Sequence, residues 1–73
     1  MINRVVINPK IMMGKPVVEG TRIPVYVIVN LTAEGYTAEQ ITKEYPDLTE
    51  RDVQAALKFA ARLADFEEVK VAA

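Results

Sequence analysis

An arginine set between a glycine corner and a proline-led element is the clearest chemical opportunity in this chain. Within Gly14–Val25, GKPVVEGTRIPV, two glycines and two prolines fall in twelve residues, and each fixes backbone geometry instead of filling a core. Thr21 and Arg22 place a hydroxyl and a guanidinium there. A guanidinium held at such a corner can grip a phosphate or a carboxylate through two parallel hydrogen bonds. It can equally cap local carbonyls, and corners of this kind are more often architecture. A second opportunity is the run Glu50, Arg51, Asp52 and Gln54. If it opens a helix presented to DNA, Arg51 and Gln54 suit guanine and adenine edges, whereas Glu50 and Asp52 repel phosphate. On those residues alone a structural corner outweighs a DNA reader. The chain has no Cys and no His, which removes disulfides, thiolate nucleophiles, the common zinc sites and the usual general base near neutral pH. No paired carboxylates or nucleophile–base pair stand out, so the expectation is a protein that is not an enzyme, with no metal and no cofactor.

The elements that must position these residues follow from local signals. Residues 2–8, INRVVIN, predict a short strand ending at the Asn8-Pro9-Lys10 turn. Ile11-Met12-Met13 predicts a second short strand, turned by Gly14 to Pro16 towards Val17-Val18, so that a hairpin occupies about residues 3–18. Residues 24–34 have strand propensity in Val25, Tyr26, Val27, Ile28 and Val29. Pro24 at the start, Gly35 just past the end and the length between them predict a helix instead, apolar nearly all round and therefore buried or part of a dimer interface. Thr37 with Gln40 has the capping-box pattern and predicts a helix over 38–45, stopped by Pro46. Thr49 caps a last helix over 50–64, in which Val53, Ala56, Leu57, Ala60, Leu63 and Ala64 mark an i, i+3, i+4 stripe. Phe59 and Phe66 lie partly off that stripe and are candidates for contacts beyond the monomer core. The helix over 38–45, the turn at 46–49 and the helix over 50–64 together have the spacing of a helix-turn-helix, a weak signal by itself.

Seventy-three residues make one domain, which buries only about 60% of its unfolded surface and has a marginal core without a staple. The 51% hydrophobic fraction is high for so short a chain, and self-association or a partner protein is the expected remedy. No apolar run approaches the ~18 residues of a membrane span and no signal peptide opens the chain, so the expected home is the cytoplasm, away from the membrane. The net charge is −1 but unevenly placed. Residues 1–36 carry Arg4, Lys10, Lys15 and Arg22 against Glu19 and Glu34, a net of +2, and residues 37–73 carry five basic and eight acidic residues, a net of −3. One face for an anion and another for a basic partner would account for the split, as would ordinary solvation.

Asn8-Pro9, Gly14-Lys15-Pro16-Val17-Val18, Gly20-Thr21-Arg22-Ile23-Pro24-Val25, Glu34-Gly35-Tyr36-Thr37 and Tyr45-Pro46-Asp47-Leu48-Thr49 resemble the small bacterial and archaeal family catalogued as domain of unknown function 433. The resemblance covers about residues 2–65. It implies a mainly α fold, a three-helix homeodomain-like helix-turn-helix bundle with a short N-terminal β-hairpin. Members of that family look like antitoxins of the VapB type, encoded beside a small nuclease-like protein of the PIN class. The implied role is a type II toxin–antitoxin partner that restrains this nuclease and binds its own promoter DNA as a dimer. Lys15, Arg22, Arg51 and Lys58 are then the phosphate candidates and Gln54 a base-reading one. Phe59, Phe66 and the acidic residues Asp65, Glu67 and Glu68 are candidates for the nuclease contact, the acids suiting a cationic or metal-bearing site. The chain departs from the family pattern at Met13, where many members have a glycine, and at Glu19, where a basic residue is frequent; both make the corner less suited to an anion. A dimerisation or adaptor domain that never touches DNA is the alternative, and the −1 net charge fits it best.

Overall fold

Val17 and Val18 are fully buried, and the N-terminal half is built around them. A computed structural model describes residues 4–66, and of Phe66 the backbone only. Its elements are β1 (Val5–Val6), β2 (Val17–Val18), α1 (Val25–Ala33), α2 (Ala38–Glu44) and α3 (Glu50–Phe66). β1 and β2 run antiparallel, with Val5 opposite Val18 and Val6 opposite Val17. The other edge of β2 is also satisfied. The Val18 amide donates to the Ile23 carbonyl at 3.0 Å and the Val25 amide to the Pro16 carbonyl at 2.9 Å, while Val17 bridges Pro24. The chain reverses between these partners at Gly20, whose φ of +81° is the left-handed value that the third residue of a type II turn requires. Thr21 locks the reversal, its hydroxyl donating to the Val18 carbonyl at 2.8 Å and accepting from the Ile23 amide at 3.0 Å.

The hairpin differs from expectation in two respects. Of the strand expected over residues 2–8 only Val5–Val6 is strand, Ile7 and Asn8 lying beyond it and residues 2–3 outside the described residues. Ile11-Met12-Met13 is not a strand. Met12, Met13 and Gly14 have φ of 51°, 56° and 85° and wind a single left-handed turn, in which the Gly14 amide donates to the Ile11 carbonyl at 3.0 Å and the Lys15 amide to the Met12 carbonyl at 3.1 Å. With both edges of β2 already paired, a third strand has no ladder to join, and these amides find carbonyls within their own turn. Asn8-Pro9-Lys10 turns as expected, the Asn8 side chain accepting from the Lys10 amide at 2.9 Å.

The three helices follow their terminal signals. α1 begins after Pro24, which serves as its N-cap and not as its first helical residue. Beyond its C-terminus the Gly35 amide donates to Thr32 and the Tyr36 amide to Leu31, both at 3.0 Å, the paired bonds of a Schellman ending around a glycine at φ +100°. α1 is buried along one side only, through Val25 and Ile28, and Tyr26 is 49% exposed. This corrects the expectation of a central buried helix, one of the two alternatives for α1; the dimer-interface alternative concerns a second copy. α2 opens with a complete capping box, the Gln40 amide donating to the Thr37 hydroxyl at 3.1 Å and the Thr37 amide to the Gln40 side chain at 2.8 Å. After Pro46 the chain turns inward at Leu48 and enters α3, which packs against both other helices and β1. Val18, Val25, Ile28, Ile41, Leu48, Val53 and Ala56 form the core between them. The fold is mainly α: three helices with an N-terminal two-stranded antiparallel hairpin.

Candidate functional site

α3 buries Val53 and Ala56, and that choice decides which side chains it offers outward. At 100° per residue, Arg51 and Lys58 lie on the side opposite Ala56, with Gln54 beside them, and all three are exposed. Arg62 joins them. It is exposed, and steps of seven and eleven residues from Arg51 both return to within about 20° of the same direction, giving a row of three cations about 16 Å long. None of the three pairs with a carboxylate among the described residues, whose ion pairs are Arg4–Asp52 at 3.0 Å and Lys43–Glu39 at 3.8 Å. Arg62 is absent from the candidates drawn from the sequence; its one signal there is this spacing.

Asp52 does not stand among them. It is 8% exposed and turned inward, which corrects the expectation that it would repel phosphate beside Glu50. Its carboxylate accepts from the Arg4 guanidinium at 3.0 Å and from the Thr49 amide at 3.0 Å, and its own amide donates to the Thr49 hydroxyl at 3.1 Å. Thr49 and Asp52 thus close a reciprocal cap at the start of α3, and Arg4 ties that cap to β1. Burial works against the charged carboxylate, but the Thr49 amide and the Arg4 guanidinium outweigh it and hold the Asp52 carboxyl below its ordinary range. The row on α3 therefore starts with one exposed acid beside it, Glu50, instead of two.

Lys15 and Arg22 lie elsewhere. The Lys15 ammonium sits 5.1 Å from the centre of the Tyr26 ring, a cation–π contact, at the rim of an apolar groove of about 320 Å³ between α1 and α3. Phe59 and Leu63 line the same groove, so a proposed phosphate contact and a proposed protein contact share one place. Arg22 lines a separate open cleft of about 660 Å³ with Tyr45 and Asp47. The five DNA candidates therefore divide into a row on α3 (Arg51, Gln54, Lys58) and two single residues, each in its own depression. Of the partner candidates, Phe59 is half-buried in the groove and Asp65 is exposed on the last turns of α3, while the Phe66 side chain, Glu67 and Glu68 lie outside the described residues. Among the described residues no group of three His, Cys, Asp or Glu is placed to hold a metal ion, and no helix is long and apolar enough to cross a membrane.

A family profile described as Protein of unknown function (DUF433) matches residues 5–60, a span that holds both strands, α1, α2 and α3 as far as Ala60. An uncharacterised Sinorhizobium fredii protein, y4eO, is 36% identical over 53 residues, which cover 73% of this chain and 24% of that protein. The crystal structure of a DUF433 member from Anabaena variabilis superposes with a TM-score of 0.79 at 28% identity, covering 86% of this chain and 62% of that one. The chain thus spans about a quarter of the first relative and less than two thirds of the second. With the match running through every element from β1 into α3, this chain belongs to the DUF433 family.

Proposed function

We propose that this protein is the antitoxin-like partner of a type II toxin–antitoxin pair, a cytoplasmic dimer that restrains a PIN-like nuclease and binds its own promoter through α3. The exposed row of Arg51, Gln54, Lys58 and Arg62 carries the DNA half of this reading. It lies on the second helix of a helix–turn–helix pair, the helix that enters the major groove in that motif. Three cations spaced over about 16 Å match phosphate and base contacts along a short stretch of groove, and Gln54 suits an adenine edge. The nuclease half is assigned to Phe59 and its groove between α1 and α3, where apolar surface is left open beside Lys15.

Fluorescence anisotropy with duplex DNA from upstream of the gene tests the first half. With three phosphates neutralised by each protomer of the dimer, log affinity is expected to fall with log salt at a slope of about −5.4. Lys58→Ala should weaken binding uniformly across sequences and reduce the magnitude of that slope by about two, one for each protomer, whereas Gln54→Ala should relax base preference at one position of each half-site. Binding too weak to detect at low salt, or a slope unchanged in Lys58→Ala, overturns the DNA half. The open groove, with Tyr26 at 49% and Leu63 at 52% exposure, favours a second reading, a dimerisation or adaptor domain that never meets DNA. The anisotropy separates the two, since both readings expect a dimer and only the first expects retention of DNA.

A further inference from the structure

The cleft at Arg22 is left without a role by DNA binding through α3. Its lining comes from two distant runs of sequence, GTRI at 20–23 and the Tyr45–Asp47 turn, joined by Val6 and Ile11. Folding brings these two stretches to one place. The corner's other polar groups are already used: the Thr21 hydroxyl is committed to Val18 and Ile23. Arg22 and Asp47 are exposed, and neither belongs to an ion pair among the described residues. One cation and one anion therefore face a cleft otherwise lined largely by Val6, Ile11, Ile23 and the Tyr45 ring.

We propose that this cleft binds an extended peptide segment of a partner protein, with an apolar side chain against Val6, Ile11 and Ile23, a carboxylate on Arg22 and a cationic group towards Asp47. The guanidinium fork matches a carboxylate with two parallel hydrogen bonds. Asp47, with Glu19 exposed on the same corner, repels a polyanion and so turns the site away from nucleic acid while complementing a positive group. The cleft is open, whereas sites for small metabolites enclose some 70–90% of the ligand. A longer chain crossing the cleft needs only its central residues covered. The site is independent of DNA binding by α3, since it shares no residue with the Arg51–Arg62 row.

The test is a titration of the full ¹⁵N-labelled chain with acetyl-Lys-Leu-Val-Asp-amide, with acetyl-Gln-Leu-Val-Asn-amide as the uncharged control. Inorganic phosphate and a short DNA duplex are titrated separately. Saturable shifts at Thr21, Arg22, Ile23 and Asp47 are expected with the charged peptide, with the control about tenfold weaker or more. Arg22→Gln and Asp47→Asn should each lose most of that preference while melting with the wild type, and Asp47→Asn should leave DNA affinity unchanged. Equal binding of the two peptides, absence of shifts at the cleft, or shifts there with phosphate or DNA and not with peptide would each overturn the assignment. Loss of DNA binding by Lys58→Ala reports on α3 alone, so failure of one site is distinguishable from failure of the other.

Discussion

Asp52 shows how one carboxylate can be read two ways from its neighbours in sequence. Beside Glu50 and Arg51 it resembles a surface acid. In the fold it caps α3 through Thr49 and holds Arg4 at 3.0 Å. Because Arg4 is 43% exposed, solvent screens the ion pair, and the cap is the larger part of what Asp52 contributes. Asp52→Ala is accordingly expected to cost about 1–2 kcal/mol, and Arg4→Ala less than 1 kcal/mol by the usual range for a screened pair. The pH dependence has a definite sign. The folded carboxyl sits below its ordinary range, so its contribution is fully present above the unfolded value of about 3.9 and is lost as pH falls through the folded one. Urea denaturation at pH 7 and at successively lower pH checks this. The wild type should lose stability on acidification below about pH 4 more steeply than Asp52→Asn, and parallel curves for the two proteins would remove Asp52 from the account.

The left-handed turn at Met12–Gly14 is the least economical element of the fold. A non-glycine residue in that conformation costs about 1–2 kcal/mol, and Met13, at φ 56° and 94% exposed, recovers little of it through packing. A glycine at this position would meet a backbone requirement, not the needs of an anion. Met13→Gly is expected to raise stability by about 0.5–1 kcal/mol, the relief of strain exceeding the added freedom of the unfolded chain. A thermal melt that shifts upward supports this, and one that shifts downward would mean that the Met13 side chain holds the turn. The end of α1 shows the reverse dependence. Gly35→Ala leaves the added Cβ in open space, so its cost is conformational alone, about 1 kcal/mol at φ +100°. Helicity and melting temperature measured by circular dichroism should fall together, and an unchanged melt would show that α1 can end without the Schellman bonds.

The molecule as a whole rests on a small core. Ile28 and Ile41 are its largest fully buried side chains, and Ile28→Ala is expected to cost about 2–4 kcal/mol. That is a large share of the stability of a domain this size, so a substantial fall in the urea midpoint should follow, and a loss below about 1 kcal/mol would place Ile28 in a site that collapses easily. Many of the features with a local cause are legible in the residues themselves, although the inward Asp52 and the left-handed turn at Met12–Gly14 are local and were not. The reciprocal cap of Thr37 and Gln40 and the Thr49 cap of α3 join residues three apart. Pro24 and Gly35 bound α1 despite its strand-prone interior, and Pro46 ends α2. The Val53–Ala56 face of α3 follows from helical periodicity alone. Other features depend on packing between distant parts of the chain. Pairing on both edges of β2 leaves Ile11–Met13 no strand to join. The Arg4–Asp52 contact spans 48 residues and exists only once β1 packs on α3. Lys15 and Arg22 are carried by the hairpin and its corner into two different depressions, away from Arg51, Gln54 and Lys58. Caps and helix periods are written over three or four residues, whereas a shared site is written by whichever elements the core brings together.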